Sequence, residues 1–221
     1  MDKVVVLDSL ATSFLIPVLR APSVEIALAL ATAIAESGVK VLEITMTIPG
    51  ALQVIRTLAK EQPDILIGAG TVLDPETAQT CILEGARFIV SPALNVNTIE
   101  MCQRHAVPVF PGALTPTEIL TAWLAGADAI KVFPAGALGG PTYLASLKGP
   151  FPQIKLMPTG GVNLANAADF LRAGAFALGV GTDLVNLDAI KTGRPEIIIE
   201  TSRQYQAIIQ QFRAHHSPPI T

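Results

Sequence analysis

The sequence has little charge. Charged residues make up 15% of its 221 residues against 50% hydrophobic ones, and the net charge is −3. No long basic run occurs, which argues against a nucleic-acid partner. So few charges among so many apolar side chains imply much buried surface, some of it at a subunit interface. Long hydrophobic runs are missing too. The apolar stretch near 27–35 is far shorter than the ~20 residues that a bilayer requires, so no membrane span is expected. Asp2, Lys3 and Asp8 surround the N-terminal apolar run, a pattern that no signal peptide has. A cytoplasmic location is the expectation.

Histidine and cysteine are scarce. His105, His215 and His216 fall in a predicted helix or tail, and Cys81 and Cys102 in predicted helices without CxxC spacing. None stands at a strand end. The expectation is therefore no metal, no disulfide, and no Cys/His or Ser/His nucleophile. No GxGxxG follows the first strand, which counts against an open dinucleotide-binding sheet. No linker interrupts the chain, so 1–221 reads as a single domain.

What is present is a beat: a short apolar run, then an alanine- and leucine-rich amphipathic segment. Strands are predicted near 14–19, 39–45, 65–69, 87–91, 107–111, 129–133, 154–158 and 176–180. They are continuously apolar, as parallel strands buried on both faces are. Helices are predicted at about 24–37, 50–61, 75–85, 97–105, 116–125, 141–148, 164–173 and 197–213. Ser23, Asp74 and Thr115 stand as N-caps, and Gly38, Gly85, Gly126 and Gly174 end helices. Eight strand–helix units predict a (β/α)8 barrel. Residues 1–11 would add an N-terminal helix, 186–195 a loop, and 214–221 a flexible tail.

Polar residues collect at the C-terminal ends of the predicted strands, where such barrels carry their sites. In AIKVFP, Lys131 stands among apolar neighbours. A strand lysine can snorkel to water. A desolvated one can act as a Schiff-base nucleophile. Glu43 in VLEIT holds the comparable place in the second strand. The two can form a structural ion pair or a nucleophile with its proton partner, and the second reading is favoured because buried ion pairs add little stability. The last two strands end in PTGGVN and GVGTDL. Glycine turns there suit phosphate, held by backbone N–H groups of Gly160, Gly161, Gly181 and Thr182. Arg20, closing the first strand, is a candidate carboxylate clamp, and Thr71 could add a hydroxyl. Asn163 is a candidate helix cap.

Taken together, LEIT, GAGTV, FIVSP, PG, IKVFPA, KGPFP, PTGGV and GVGTDLV, in order over about 12–186, resemble the 2-keto-3-deoxy-6-phosphogluconate (KDPG) aldolase and 4-hydroxy-2-oxoglutarate (KHG) aldolase family. The resemblance implies a class I, carbon–carbon lyase reaction without cofactor or metal, on a homotrimer of barrels. It places the Schiff-base lysine at Lys131 and the general acid/base at Glu43. Phe133 would pack on the pyruvyl group, Thr71 and Pro92 would contact carboxylate or hydroxyl, and Thr159, Gly160, Gly161, Gly181 and Thr182 would hold substrate or phosphate. The sequence departs from the pattern at Thr47, where some members carry a carboxylate-binding arginine. Arg20 is expected to take over that contact. This leaves the galactonate-derived epimer as an alternative substrate. A lysine-independent isomerase and a non-catalytic phospho-ligand-binding barrel are the alternatives of other classes.

Overall fold

The computed structural model describes residues 2–216. Its strands are β1 (Leu15–Leu19), β2 (Val41–Thr45), β3 (Leu66–Gly70), β4 (Ile89–Val90), β5 (Val109–Phe110), β6 (Gly112–Ala113), β7 (Ile130–Val132), β8 (Leu156–Pro158) and β9 (Leu178–Val180). All pairings between these strands are parallel among the described residues. Helices α1 (Lys3–Ser13), α2 (Val24–Glu36), α3 (Ala51–Glu61), α4 (Pro75–Leu83), α5 (Val96–Arg104), α6 (Pro116–Leu124), α7 (Pro141–Lys148), α8 (Ala167–Arg172), α9 (Leu187–Lys191) and α10 (Glu196–His216) complete it. This is an α/β fold on a curled parallel sheet.

The strand count predicted one ring of eight. The ladder is instead divided, in the orders β5-β4-β3-β2-β1-β9 and β6-β7-β8. The break falls at Pro111, which lacks an N–H and cannot continue the ladder that Phe110 ends. Its carbonyl still accepts from Lys131 N at 2.9 Å. Between β8 and β9 the two sheets meet through single parallel bridges, Leu156 with Ala175 and Thr159 with Gly179.

Two apolar layers follow from strand alternation. Leu15, Leu42, Ile67, Ile130, Leu156 and Leu178 pack outward against the helices. Ile16, Val41, Leu66, Phe88, Phe110, Ala129, Met157 and Ala177 pack inward, with Val6 and Leu10 of α1 against them. The N-terminal helix thus lies across the N-terminal ends of the strands. Lys3 pins it there by a 2.8 Å ion pair to Asp128, whose other oxygen accepts from Val109 N.

Local signals explain most element ends. The side chains of Ser23, Asp74 and Thr115 each accept an N–H of the following helix, and Gly38, Gly85, Gly126 and Gly174 all have positive φ. Three expectations change. The stretch 186–195 contains α9, capped by Asn186 rather than left as a loop. α8 begins at Ala167 instead of 164, because Asn163 and Asn166 hydrogen-bond each other's backbone and hold that stretch as a turn. Asn163 therefore caps a turn and not the helix. The tail predicted from 214 is helical through 216, and 217–221 lie outside the described residues.

Candidate active site

The parity that sends Ile16, Val41 and Ala129 inward also sends Glu43, Lys131 and Thr159 inward, nearer the C-terminal ends. Lys131 is 2% exposed and Glu43 0%, and Lys131 Nζ stands 3.9 Å from Glu43 Oε1. Neither lysine nor carboxylate is normally buried without compensation. Yet neither Glu43 oxygen has a hydrogen-bond partner among the described residues. Burial pushes the Glu43 carboxyl above its usual range, against the smaller opposing pulls of the Lys131 and Arg20 charges. The neutral acid is thereby favoured, in a group positioned to exchange protons with an amine.

The sheet makes room for this carboxyl by omission. Gly70 lies on the same face of β3, and a side chain there would meet Glu43 Oε1 at 1.9 Å. One pleat below, Gly68 leaves space for the Phe88 ring. Thr71, next along the chain, has φ 58, a left-handed conformation that costs a non-glycine residue about 1 kcal/mol or more.

On the other side of Lys131, the Phe133 ring centroid is 5.3 Å from Nζ. Gly160 abuts that ring, and its φ of 81 suits glycine. Thr159 is 6% exposed, and its hydroxyl has no partner among the described residues. It projects over Gly179, whose missing Cβ would lie 2.2 Å away. Of five buried side-chain oxygens without a partner among the described residues, three belong to Glu43 and Thr159. Unsatisfied buried oxygens concentrated at one mouth suggest groups held ready for a ligand.

The remaining predicted residues ring this centre. Arg20 is exposed at the end of β1, with its charge felt at Glu43. Thr47 is exposed at the end of β2, its hydroxyl 2.8 Å from that of Thr45. The backbone of Pro92 is pressed against Gly112. Gly161 has φ 80, and Gly181 has no atom within 4 Å of where a Cβ would stand. Thr182 is exposed. Asp183 links the two glycine loops: its Oδ2 accepts from Leu164 N at 3.3 Å and from the Tyr205 hydroxyl at 2.5 Å.

A cavity of about 890 Å³ lies at the opposite end of the strands, lined in part by Asp8, Lys40, Asp64, Arg87 and Gln206. None of the predicted site residues lines it. Those charges are exposed, so this cavity has none of the buried, uncompensated polar chemistry found at the Lys131 end. Among the described residues no group of histidine, cysteine and carboxylates could hold a metal ion.

The family model described as "Aldolase: KDPG and KHG aldolase" matches residues 6–200. The chain belongs to the KDPG/KHG aldolase family. It is 35% identical over 195 residues to the KHG/KDPG aldolase of Escherichia coli K12, covering 88% of this chain and 92% of that protein. It is 33% identical to the 2-dehydro-3-deoxy-phosphogluconate aldolase of Treponema pallidum, covering 93% of this chain and 98% of that one. The solved Legionella pneumophila KDPG aldolase, with pyruvate captured as a covalent carbinolamine, has a TM-score of 0.83 at 35% identity, over 90% of this chain and 96% of that one.

In this KDPG/KHG aldolase family member, sequence reading found the buried Lys131–Glu43 pair but not its supports. Gly68 and Gly70 were legible as glycines inside a strand, a sign of close approach by another group. Nothing in the sequence marked Phe88 and Glu43 as the groups approaching. Tyr205 and Asp183 meet across 22 residues, with no local signal in either.

Proposed function

We propose that the protein is a class I aldolase that cleaves 2-keto-3-deoxy-6-phosphogluconate to pyruvate and glyceraldehyde 3-phosphate, and 4-hydroxy-2-oxoglutarate to pyruvate and glyoxylate. The observation that carries this is the buried Lys131–Glu43 pair at 3.9 Å, with neither carboxyl oxygen hydrogen-bonded among the described residues. A non-catalytic phosphate-binding barrel has no need of it.

Lys131 Nζ, as the free amine, adds to the C2 carbonyl carbon, and the carbonyl oxygen takes a proton. Loss of that oxygen as water leaves an iminium. The C3–C4 bond then breaks, and its electron pair passes toward the iminium to form an enamine. The C4 hydroxyl proton goes to Glu43, and the aldehyde departs. The enamine takes a proton at C3, and water adds at C2 to release pyruvate and the lysine. A carboxyl biased toward its neutral form suits both duties: it donates to the departing water and, once ionised, accepts the C4 proton. Phe133 forms a wall beside the pyruvyl group, Thr159 offers a free hydroxyl, and Thr71 and Pro92 line the rim. Arg20 binds the carboxylate. Backbone N–H groups of Gly160, Gly161, Gly181 and Thr182 receive the phosphate.

The same reading treats the two sheets as one (β/α)8 barrel with an added N-terminal helix, supported by the bridges between β8 and β9 and the carbonyl link at Pro111. It treats the chain as a single domain that assembles as a homotrimer. Exposed Leu73, Leu83, Leu120 and Leu124 supply apolar surface for such an assembly.

Incubation with pyruvate and borohydride should reduce the iminium to a stable amine and place the added mass on the Lys131 peptide. Lys131→Ala should give neither adduct nor cleavage. Cleavage at the wild-type rate by Lys131→Ala would refute the mechanism. Turnover of the gluconate- and galactonate-derived epimers side by side assigns the preferred substrate.

A further inference from the structure

Two hydroxyls at the mouth are ordered by a single carbonyl. Thr45 Oγ1 lies 2.7 Å from the Leu19 carbonyl oxygen and 2.8 Å from Thr47 Oγ1. A carbonyl oxygen can only accept, and a threonine hydroxyl has one proton to give. Thr45 must therefore donate to Leu19, since otherwise two oxygens would face each other at 2.7 Å with no proton between them. The contact between the hydroxyls is then made by the Thr47 proton. Thr45 is 0% exposed, so no solvent exchange relaxes this order. The proton sequence is Thr47 to Thr45 to Leu19. Thr47, at the exposed outer end, is left with lone pairs and no proton to offer.

We infer that Thr47 is a hydrogen-bond acceptor that recognises a hydroxyl of the substrate and does not bind its carboxylate. This rests on the aldolase reading above. A carboxylate brought to Thr47 would set lone pairs against lone pairs, whereas a hydroxyl beyond C3 of the keto acid would donate to it. Thr47 is thus a specificity-determining residue whose oxygen selects keto acids carrying a hydroxyl and favours one orientation of it. Arg20, whose charge reaches Glu43, is left as the carboxylate partner. The Thr45 bond to Leu19 also fastens the residue immediately before Arg20, so one relay sets both specificities.

Pyruvate separates the two kinds of contact, because it has the carboxylate and ketone but no hydroxyl. Exchange of its C3 hydrogens in D₂O, followed by NMR, reports iminium and enamine formation alone. In Thr47→Val, kcat/KM for cleavage of 2-keto-3-deoxy-6-phosphogluconate should fall about tenfold, the effect of one hydrogen bond of roughly 1.4 kcal/mol. The KM for pyruvate exchange should stay within about twofold of wild type, which also shows that the variant is folded. Thr47→Ser, which keeps the oxygen, should restore cleavage. An equal rise in the KM for pyruvate exchange would mean a carboxylate contact or a merely structural role and would overturn the inference. Unchanged cleavage by Thr47→Val would overturn it as well. Failure of the wild-type protein to exchange pyruvate hydrogens would instead overturn the aldolase reading on which it stands.

Discussion

The Glu43 carboxyl occupies the space that a side chain on Gly70 would need: an ideal Cβ on Gly70 would stand 1.9 Å from Oε1. Gly70→Ala must therefore displace the carboxyl from Lys131. Misplacing a reacting group by about 1 Å can cost about 100-fold in rate, and a loss of at least that size in kcat is expected. Gly68→Ala is the comparison. It collides with Phe88 in the apolar layer, so it should cost about 1–3 kcal/mol of stability through overpacking, read by urea denaturation.

Glu43 also sets a pH dependence of stability. Burial raises its pKa above the ordinary 4.5, with Lys131 and then Arg20 opposing. Below the ordinary value both folded and unfolded chains hold the proton, and the group is neutral to stability. As pH rises toward and through the higher folded pKa, the unfolded chain releases the proton first, and the folded state loses ground. Glu43→Gln lacks this loss. Its stability relative to wild type should increase as pH rises above the ordinary carboxyl value of 4.5 in urea titrations. A relative stability that falls as pH rises above that value would contradict the assigned direction.

The Asp183–Tyr205 bond ties α10 to both glycine loops. Burial and the adjoining Asp183 carboxylate push the Tyr205 hydroxyl upward, so it stays protonated and donating. Tyr205→Phe should cost about 1–3 kcal/mol, the penalty for leaving a partner of a buried hydrogen bond unmade. It should also raise KM for the phosphorylated keto acid more than KM for 4-hydroxy-2-oxoglutarate. Equal changes in the two KM values would detach the bond from phosphate binding.

Leu10 is fully buried in the inner layer. Leu10→Ala should destabilise the fold by about 2–5 kcal/mol, measured by thermal or urea melting. Val5→Ala, at the residue just before buried Val6 and at 50% exposure, should change stability by less than about 0.5 kcal/mol.

The strands were legible because each is a short apolar run punctuated by glycine or a cap, and all eight predicted runs overlap an observed strand, though β6 lies just beyond the run at 107–111. Lys131 and Glu43 were legible because charge inside such runs violates the burial rule. The division of the sheet at Pro111 is legible only in proline's missing donor, which the apolar run as a whole conceals. α9 escaped because five residues are too few to show a helical period. The Thr47–Thr45–Leu19 relay and the Asp183–Tyr205 bond depend on which strand ends and helices become neighbours. Sequence pattern gives the faces of elements but not the pairs that meet across them.

The helix that lies across the strand beginnings has a consequence for traffic. With Val6 and Leu10 packed into that end, ligands at the proposed site would enter and leave by the strand C-terminal mouth, where Arg20, Thr47 and the glycine loops stand. On the proposed mechanism, pyruvate stays bonded to the lysine at the blind end while the aldehyde lies between it and the exit. Departure is then a queue, aldehyde first and pyruvate second, and in the synthetic direction pyruvate must board before its partner.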